Sequence, residues 1–284
     1  MANVYVPESV REACEWLEKD DCRAVAGATN LYVDRKKGKW TGCDLVSLHR
    51  LDSLREIREV NGECRIGSLV TFAQLERWQP KAACFQALQE AAAQVGAPQI
   101  RNRGTIGGNI LSASPAADGV PPLAVLNARL HLVSVRGERE IPLLDFMKAP
   151  GQTDLQPGEL LTEIRIPHKS GRAVFYKVGK RNALAVSVLN QAVYLNRQDG
   201  RITDLVIVYG SMGPVALRAL RTEALLRESR PAARLQEDLK IAVRNTLAQE
   251  LSPIDDIRAS REYRMNLAYT VLLENWRRLL EEDT

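Results

Sequence analysis

Positions 23–30 of the chain read Arg23-Ala24-Val25-Ala26-Gly27-Ala28-Thr29-Asn30. The first four residues are typical of a short buried strand, and Gly27 with the polar residues after it is typical of a tight turn. An apolar pattern resumes at Leu31, so the segment predicts a strand, a turn and a helix in succession. A glycine in this position also lets backbone N–H groups, aided by the positive end of the following helix, bind an anion such as pyrophosphate.

A second glycine turn occupies positions 105–109 and reads Thr105-Ile106-Gly107-Gly108-Asn109. Paired glycines can adopt backbone conformations that are closed to residues with a Cβ, so that successive N–H groups converge into an anion-binding concavity. The side chains of Thr29, Asn30, Thr105 and Asn109 could add hydrogen bonds to the same ligand. Taken alone, each turn also fits a plain structural role, since glycine and asparagine are ordinary turn formers.

The second turn lies within an unusual segment, residues 99–122, in which small residues dominate. Its scattered Ile106, Ile110 and Leu111 predict a loop system that is held against a core rather than a free linker. Residues 150–171 are rich in glycine, proline and polar residues, which makes them the best candidate for a domain boundary.

Apolar spacing and turn residues predict the remaining elements. Ser9 with Glu12, and Thr71 with Gln74, have the spacing of capping boxes that begin helices. Helices are predicted over residues 9–18, 81–95, 218–227, 234–249 and 262–282. Strands are predicted over residues 44–48, 64–68, 129–135, 161–166, 174–178, 186–195 and 205–209, with a hairpin turn at 197–200.

Composition limits the class of protein. The 284 residues carry 39 lysines and arginines against 35 aspartates and glutamates, a net charge of +4, and 45% of them are hydrophobic. These values are those of ordinary globular chains and exclude global disorder. The modest charge and the few aromatic residues argue against nucleic-acid binding. Apolar runs fall short of the roughly 18 residues that span a membrane, and the first seven residues lack signal-peptide features, so we expect no membrane association and a cytoplasmic location.

Motifs that would let the chain catalyse a reaction alone are missing. It contains no Gly-x-Ser-x-Gly nucleophile motif, no Walker A motif and no Gly-x-Gly-x-x-Gly motif. The five cysteines are widely scattered, as expected of small buried hydrophobic residues, and the three histidines lie far apart, which argues against a metal site. If the chain is an enzyme, a cofactor therefore supplies the reactivity.

Several motifs accompany the two glycine turns along the chain. In order and spacing they resemble, together with Ile66-Gly67-Ser68, Ile100-Arg101-Asn102 and residues 113–118, the FAD-binding medium subunits of molybdenum hydroxylases. This is the family of the xanthine, nicotinate and carbon monoxide dehydrogenases. Further matches are Glu159-Leu160-Leu161, Tyr176-Lys177, Lys180-Arg181, Gly213-Pro214 with Arg218, and Glu262-Tyr263-Arg264, so the resemblance covers nearly the whole chain.

The resemblance implies an α+β fold of the PCMH or vanillyl-alcohol-oxidase type. Two FAD-binding subdomains, residues 1–55 and 56–170, would precede a C-terminal α+β domain, residues 171–284, with a three-stranded sheet and helices. The family's two glycine turns lie at the phosphates and the ribityl chain of FAD. The residues implied to bind FAD are Arg23, Ala24, Val25, Ala26, Gly27, Ala28, Thr29, Asn30, Thr105, Ile106, Gly107, Gly108, Asn109, Ser112, Asp118, Leu161 and Lys177.

Two of these residues carry charges that suit the flavin. By the resemblance, Asp118 would accept hydrogen bonds from ribityl or ring groups, and Lys177 near the pyrimidine side would favour the charge gained on reduction. The alternatives are that Asp118 caps the turn before Gly119 and that Lys177 is a solvated lysine on a strand.

The function implied is that of an electron-transfer subunit without catalytic residues or metal ligands of its own. Electrons would pass from a molybdopterin large subunit, through [2Fe-2S] clusters of a small subunit, to FAD on this chain and then to NAD⁺ or another acceptor. Two other functions stay open: an assembly or scaffold subunit with weak or lost flavin binding, and a free-standing flavin oxidoreductase with its own substrate pocket.

Departures from the family pattern motivate the scaffold alternative. The family turn usually reads Ala-Gly-Gly-Thr-Asp, whereas Ala28 here replaces the second glycine and Asn30 replaces the acid. Ala185 also stands where the family often has an aspartate. If the second turn position needs a positive φ, Ala28 is strained by about 1 kcal/mol or more.

Overall fold

The structure, a computed structural model, describes residues 3–181, 184–229 and 231–281. The strands are β1 (Val4–Tyr5), β2 (Cys22–Val25), β3 (Asp44–Ser47), β4 (Ile57–Val60), β5 (Glu63–Gly67), β6 (Arg129–Ser134), β7 (Gly137–Pro142), β8 (Met147–Ala149), β9 (Gln152–Thr153), β10 (Leu160–Pro167), β11 (Arg172–Gly179), β12 (Ser187–Gln198), β13 (Arg201–Gly210) and β14 (Leu217–Arg218). The helices are α1 (Val10–Leu17), α2 (Leu31–Lys36), α3 (Phe72–Arg77), α4 (Gln86–Ala93), α5 (Pro98–Arg101), α6 (Ile106–Leu111), α7 (Val120–Val125), α8 (Leu143–Phe146), α9 (Leu220–Arg227), α10 (Glu237–Glu250) and α11 (Arg261–Glu281).

The N-terminal unit is a parallel sheet of order β1-β3-β2 with helix α1 packed beside it. Ser9 caps α1 by accepting the N–H of Glu12, as predicted, but the Glu12 carboxylate accepts the N–H of Glu8 rather than that of Ser9. The predicted capping box is therefore only half formed. The core under this sheet is small and consists of Ala13, Cys14, Val46, Leu48, Leu51, Leu54, Leu69 and Leu160.

The middle of the chain forms an antiparallel sheet of order β4-β5-β10-β6-β7. Helix α3 follows β5 and begins with a complete capping box between Thr71 and Gln74, as predicted. The alanine-rich segment predicted as a helix over 81–95 begins as a 3₁₀ turn at Ala83–Phe85 and continues as α4.

The segment predicted as a loop system over 99–122 forms most of α5, the whole of α6 and the start of α7. That prediction was wrong, because helices of four to six residues are too short to show an apolar period in the sequence. The expectation that the segment is held against a core is confirmed, since Ile106 and Ile110 are fully buried.

The C-terminal part is an antiparallel sheet of order β11-β12-β13-β14 with helices α9 to α11 on one face. Three long strands match the expected sheet, and the two-residue β14 extends it. Asp199 and Gly200, with φ of 51° and 72°, close the predicted hairpin between β12 and β13. Helix α11 ends at Glu281 in the described residues, and the predicted end at position 282 lies outside them.

The three large sheets fall within the ranges 1–55, 56–170 and 171–284. The second and third ranges share one continuous core, in which Phe175 and Tyr194 of the C-terminal sheet pack in the same cluster as Ile66 and Leu88. The core is therefore continuous across position 170. The division into domains 1–55, 56–170 and 171–284 stays a prediction. Within the described residues, every helix is too short or too polar to cross a bilayer.

Candidate functional site

The two glycine turns come together through Gly27, which follows β2. A Cβ built on Gly27 would lie 1.6 Å from the carbonyl oxygen of Arg103 and 3.2 Å from the nitrogen of Gly104. Gly27 has no positive φ, so close approach between two backbones requires the glycine here. On the other side, a Cβ on Gly104 would lie 3.6 Å from Oγ1 of Thr29. The first turn therefore rests directly on the residues that lead into the second.

The first turn presents a row of free backbone donors. The N–H groups of Gly27, Ala28, Thr29 and Asn30 donate to no acceptor among the described residues, and all four residues are at least partly exposed. Ala28 has a φ of 61°, whereas Asn30 is in the right-handed helical region. A left-handed residue in such a row turns successive N–H groups toward one point, which is the geometry of an anion-binding nest. This turn has the donors that a phosphate group needs.

Ala28→Gly is expected to increase the free energy of unfolding by about 1 kcal/mol. The left-handed conformation costs a residue with a Cβ about 1–2 kcal/mol, which exceeds the extra entropy that glycine gives the unfolded chain. Urea denaturation of the full chain measures the change. Ala24→Gly, at an ordinary strand position in β2, is the matched control and should lose about 0.5–1 kcal/mol. Equal losses in the two variants would contradict the assigned strain.

The second turn is attached to residues 68–72 by backbone hydrogen bonds. Phe72 N–H donates to the carbonyl of Gly104 at 3.0 Å, Ile106 N–H to Val70 at 2.9 Å, and Gly107 N–H to Ser68 at 2.9 Å. A Cβ on Gly107 would lie 2.7 Å from the Ser68 carbonyl oxygen, so glycine permits this close pairing. Ser68, the last residue of the Ile66-Gly67-Ser68 motif, thus supports the second turn together with Val70 and Phe72.

The predicted anion-binding concavity at Gly107 and Gly108 is wrong. Both glycines lie in the first turn of α6 without a positive φ. The N–H of Gly108 donates to Oγ1 of Thr105 at 3.1 Å and that of Asn109 to the Thr105 carbonyl at 3.0 Å, so the N–H groups of residues 106–109 already have acceptors. Gly108 remains exposed, and its lack of a side chain lets a ligand approach the backbone closely.

Asn109 of α6 fixes the turn that carries Asp118. Oδ1 of Asn109 accepts the N–H of Gly119 at 3.1 Å, and the Ser112 hydroxyl donates to the Asn109 carbonyl at 2.7 Å. A Cβ on Gly119 would lie 2.7 Å from the same Oδ1. Asn109 therefore positions the turn at 118–119, whereas Ser112 bonds only the backbone of Asn109.

Asp118 and Lys177 form a buried ion pair, with Nζ 2.6 Å from Oδ2 and the two side chains 10% and 7% exposed. Lys177 Nζ also donates to the carbonyl of Gln94 at 2.9 Å. The other carboxylate oxygen, Oδ1, accepts from the Ser187 hydroxyl at 2.5 Å and from Asn190 Nδ2 at 2.7 Å. The alternative of a solvated lysine at position 177 is therefore wrong.

Each member of this pair keeps one unused hydrogen-bonding position. An ammonium group has three donors, and Asp118 and Gln94 use two of those on Lys177. A carboxylate has about four acceptor positions, and three protein donors occupy three of those on Asp118. Among the described residues, Lys177 therefore retains one free N–H and Asp118 about one free acceptor position for a ligand.

The other predicted residues of the first turn and the core lie in different surroundings. The Arg23 guanidinium stacks on the Trp40 ring, 3.0 Å from its centroid. Ala24 is exposed, and Val25 and Ala26 are half-buried. Ile106 and Leu161 lie inside the core with exposures of 0% and 1%, so only their backbones could face a ligand.

Sequence reasoning missed Gln94, Ser187 and Asn190. Asn190 did carry a signal, since it is a polar residue within the apolar run predicted as a strand over 186–195. A polar side chain at a buried strand position requires a partner, and Asn190 is fully buried. Gln94 contributes only its backbone carbonyl, which a sequence cannot reveal.

The cysteines behave as hydrophobic residues rather than as reactive thiols. Burial raises the pKa of Cys14 and of Cys84 to about 11 and that of Cys64 to about 12. These three thiols are therefore protonated at neutral pH and lack the thiolate that attack or metal binding requires. Cys22 and Cys43 are half-buried, and all five are free of disulfides.

Comparison with known proteins agrees with this architecture. Residues 1–169 match the family described as FAD binding domain in molybdopterin dehydrogenase, and residues 174–279 match CO dehydrogenase flavoprotein C-terminal domain. The chain is 35% identical over 232 residues to the nicotinate dehydrogenase FAD-subunit of Eubacterium barkeri, with 78% of each chain covered. It is 28% identical over 258 residues to the xanthine dehydrogenase FAD-binding subunit of Escherichia coli O157:H7, covering 89% of this chain and 87% of that one.

Solved structures extend the match to the whole fold. A chain of carbon monoxide dehydrogenase from Hydrogenophaga pseudoflava, solved in a form lacking the Mo-pyranopterin moiety of the molybdenum cofactor, matches with a TM-score of 0.91 and 26% identity. The match covers 99% of this chain and 97% of that one. The resemblance and the fold class inferred from the sequence are thereby confirmed. The chain that carries the two glycine turns therefore belongs to the family described as FAD binding domain in molybdopterin dehydrogenase.

Proposed function

We propose that this chain is the FAD-carrying electron-transfer subunit of a molybdopterin-dependent hydroxylase or dehydrogenase. The observation that supports the proposal is the row of unpaired N–H groups at residues 27–30, placed against the backbone of Arg103 and Gly104. Free donors that converge beside a second glycine segment suit the diphosphate of a dinucleotide. Family membership supports FAD as that dinucleotide.

The residues present fit an FAD group at several points. The N–H groups of residues 27–30 would hold the diphosphate, with the side chains of Thr29 and Asn30 beside them. Exposed Gly108 would let the ligand lie against the backbone of α6. Lys177, with one N–H unused, would donate to an acceptor on the flavin. When bound, FAD supplies the capacity to accept electrons and release them singly or in pairs.

Lys177 contributes a fixed ammonium group, the positive end of its ion pair with Asp118, to this site. The Asp118 carboxylate and the Gln94 carbonyl immobilise its ammonium group in a largely buried position, where charges act more strongly than in water. A cation held beside the flavin favours the negative charge that reduction brings. The chain thus sets the electrostatics of the cofactor and leaves the chemistry of the organic substrate to another subunit.

The partners and the acceptor are part of the same proposal. Electrons would reach this chain from [2Fe-2S] clusters on a small subunit, which takes them from a molybdopterin site on a large subunit. They would leave to NAD⁺ or to another acceptor in the cytoplasm. Within the described residues the chain holds no group of three or more His, Cys, Asp or Glu side chains able to bind a metal.

The proposal is tested by titrating the purified full chain with FAD and recording the visible flavin spectrum. We expect one FAD per chain to remain bound after gel filtration. A chain that stays colourless after incubation with FAD would overturn the proposal. Purification from the native source, with analysis for iron and molybdenum, tests the partners, and reduction of the bound flavin by NADH tests the acceptor.

Ala28 favours one competing function, a scaffold subunit with weakened flavin binding. Its left-handed φ of 61° has the geometry of the nest but strains a residue with a Cβ, so the turn that would hold the diphosphate keeps this shape less firmly than a glycine turn would. Copurification of iron–sulfur and molybdopterin partners without stoichiometric flavin would support this alternative. A free-standing flavin oxidoreductase would instead show substrate turnover by the isolated chain.

A further inference from the structure

We propose that Ser187 and Asn190 are positioning residues that orient the Asp118 carboxylate, and through it fix the Lys177 ammonium group beside bound FAD. The inference rests on the proposed function, because it requires FAD next to Lys177. It assigns a role to two residues of β12 that lie outside the two glycine turns and that contact the cofactor only through other side chains.

The contacts form a continuous buried chain. Ser187 and Asn190 are both fully buried, and each donates to the same oxygen of Asp118, at 2.5 Å and 2.7 Å. Lys177 binds the other oxygen at 2.6 Å. The donors on Oδ1 fix the rotation of the carboxylate about its last torsion, so Oδ2 can point only toward the lysine. A four-carbon lysine side chain has no such rigidity of its own.

The fold makes special room for Asn190. Asn190 pairs across the sheet with Gly210, where a Cβ would lie only 2.0 Å from Oδ1 of Asn190. That Oδ1 has no hydrogen-bond donor among the described residues, although the side chain is fully buried. A buried amide whose oxygen lacks a hydrogen-bond donor lowers the stability of the fold. Asn190 is nevertheless present, and its side-chain nitrogen donates to Asp118. We therefore infer that Asn190 serves to donate a hydrogen bond to the Asp118 carboxylate.

The arrangement joins two parts of the chain that carry different pieces of the site. Asp118 follows α6 of the second glycine turn, whereas Lys177, Ser187 and Asn190 belong to the adjacent strands β11 and β12. Without Ser187 the carboxylate gains freedom to rotate, and the ammonium group moves with it. Binding of oxidised FAD depends mainly on the diphosphate donors, but stabilisation of the reduced form depends on where the cation stands.

The test is the midpoint potential of the flavin bound to full-length Ser187→Ala. We expect one FAD per chain to remain bound and the two-electron potential to fall by about 30 mV, which corresponds to a tenfold selective weakening of reduced-flavin binding. Asn190→Ser, whose side chain is too short to reach Asp118, should shift the potential in the same direction and serves if Ser187→Ala does not fold.

Thr222→Val is the matched control. Thr222 is a fully buried hydroxyl that donates to the Glu250 carboxylate at 2.6 Å, elsewhere in the C-terminal part. Its replacement removes the same kind of bond and should lower thermal stability without moving the potential. In a Lys177→Met background, Ser187→Ala should add no further shift, because its effect passes through the lysine.

The outcomes separate this inference from the function on which it rests. A wild-type potential in FAD-loaded Ser187→Ala, or an undiminished shift in the Lys177→Met background, would overturn the positioning role and leave the FAD function standing. Failure of the wild-type chain to bind FAD would overturn the proposed function, and the positioning role with it.

Discussion

Gly27→Ala is expected to raise the dissociation constant for FAD roughly 100-fold and to lower the free energy of unfolding by about 3 kcal/mol. The new Cβ would lie 1.6 Å from a backbone carbonyl, so the two glycine segments must separate. A rigid backbone cannot yield as a flexible side chain does, which places the cost near the upper end of ordinary overpacking. Because FAD binding must restore the contact, a comparable energy is lost from affinity, at 1.4 kcal/mol for each factor of ten.

Gly62→Ala is the control for this variant. Gly62 has a φ of 77° and open space around its Cβ position, so alanine there should cost about 1 kcal/mol of strain and leave FAD binding unchanged. Fluorescence titration with FAD and urea denaturation measure both quantities. Wild-type FAD affinity in Gly27→Ala would show that contact between the turns is not needed for the site.

Lys177→Met is expected to lower the free energy of unfolding by about 3–5 kcal/mol, the range for removal of one partner from a buried ion pair. Methionine leaves the Asp118 carboxylate buried without its counter-charge. The two oxygens of that carboxylate cannot be fully hydrated unless the core opens. Thermal or urea unfolding of the apo chain measures the loss. The same change should weaken binding of reduced FAD more than binding of oxidised FAD.

Two companion variants show whether the buried charge is responsible. Lys240→Met removes the lysine of an exposed pair, Lys240 with Glu237, and should cost less than about 1 kcal/mol. The double variant Asp118→Asn with Lys177→Met should be more stable than Lys177→Met alone, because no unpaired charge stays buried. A double variant that is no more stable would contradict the ion-pair account.

The parts of the site that sequence predicts well are local ones. The strand before Gly27, the turn after it and the helix from Leu31 follow from residue types over about ten positions, and the structure has each of them. The capping box at Thr71 is equally local and is complete. Even the strain at Ala28 follows once the second turn position is known to need a positive φ.

The second turn shows why local reasoning also fails. Glycine serves two purposes, positive φ and close approach, and the sequence does not distinguish between them. Gly107 serves the second purpose through its contact with Ser68. The structure therefore has the first turn of a helix where the sequence predicted an anion-binding nest. The free donors are found at the first turn instead.

Long-range contacts were beyond the sequence altogether. Lys177 and Asp118 are 59 positions apart, and Ser187 and Asn190 meet Asp118 across still larger separations. Edge strands were missed for a different reason: β7 reads Gly-Glu-Arg-Glu-Ile-Pro, and its polar residues hide the alternation of a half-buried strand.

The two turns rest on cores of very different size. The parallel sheet that ends at Gly27 covers a small cluster, whereas the second turn is built into the large core shared with the C-terminal sheet. Segments with few apolar contacts undergo local unfolding most readily, and here that segment is the N-terminal unit. A dinucleotide bound by both turns would hold the N-terminal unit against the rest of the chain. The fraction of chains with bound dinucleotide would determine by mass action how often that unit opens. Cofactor loading would then complete the folding of the chain as well as equip it for redox chemistry.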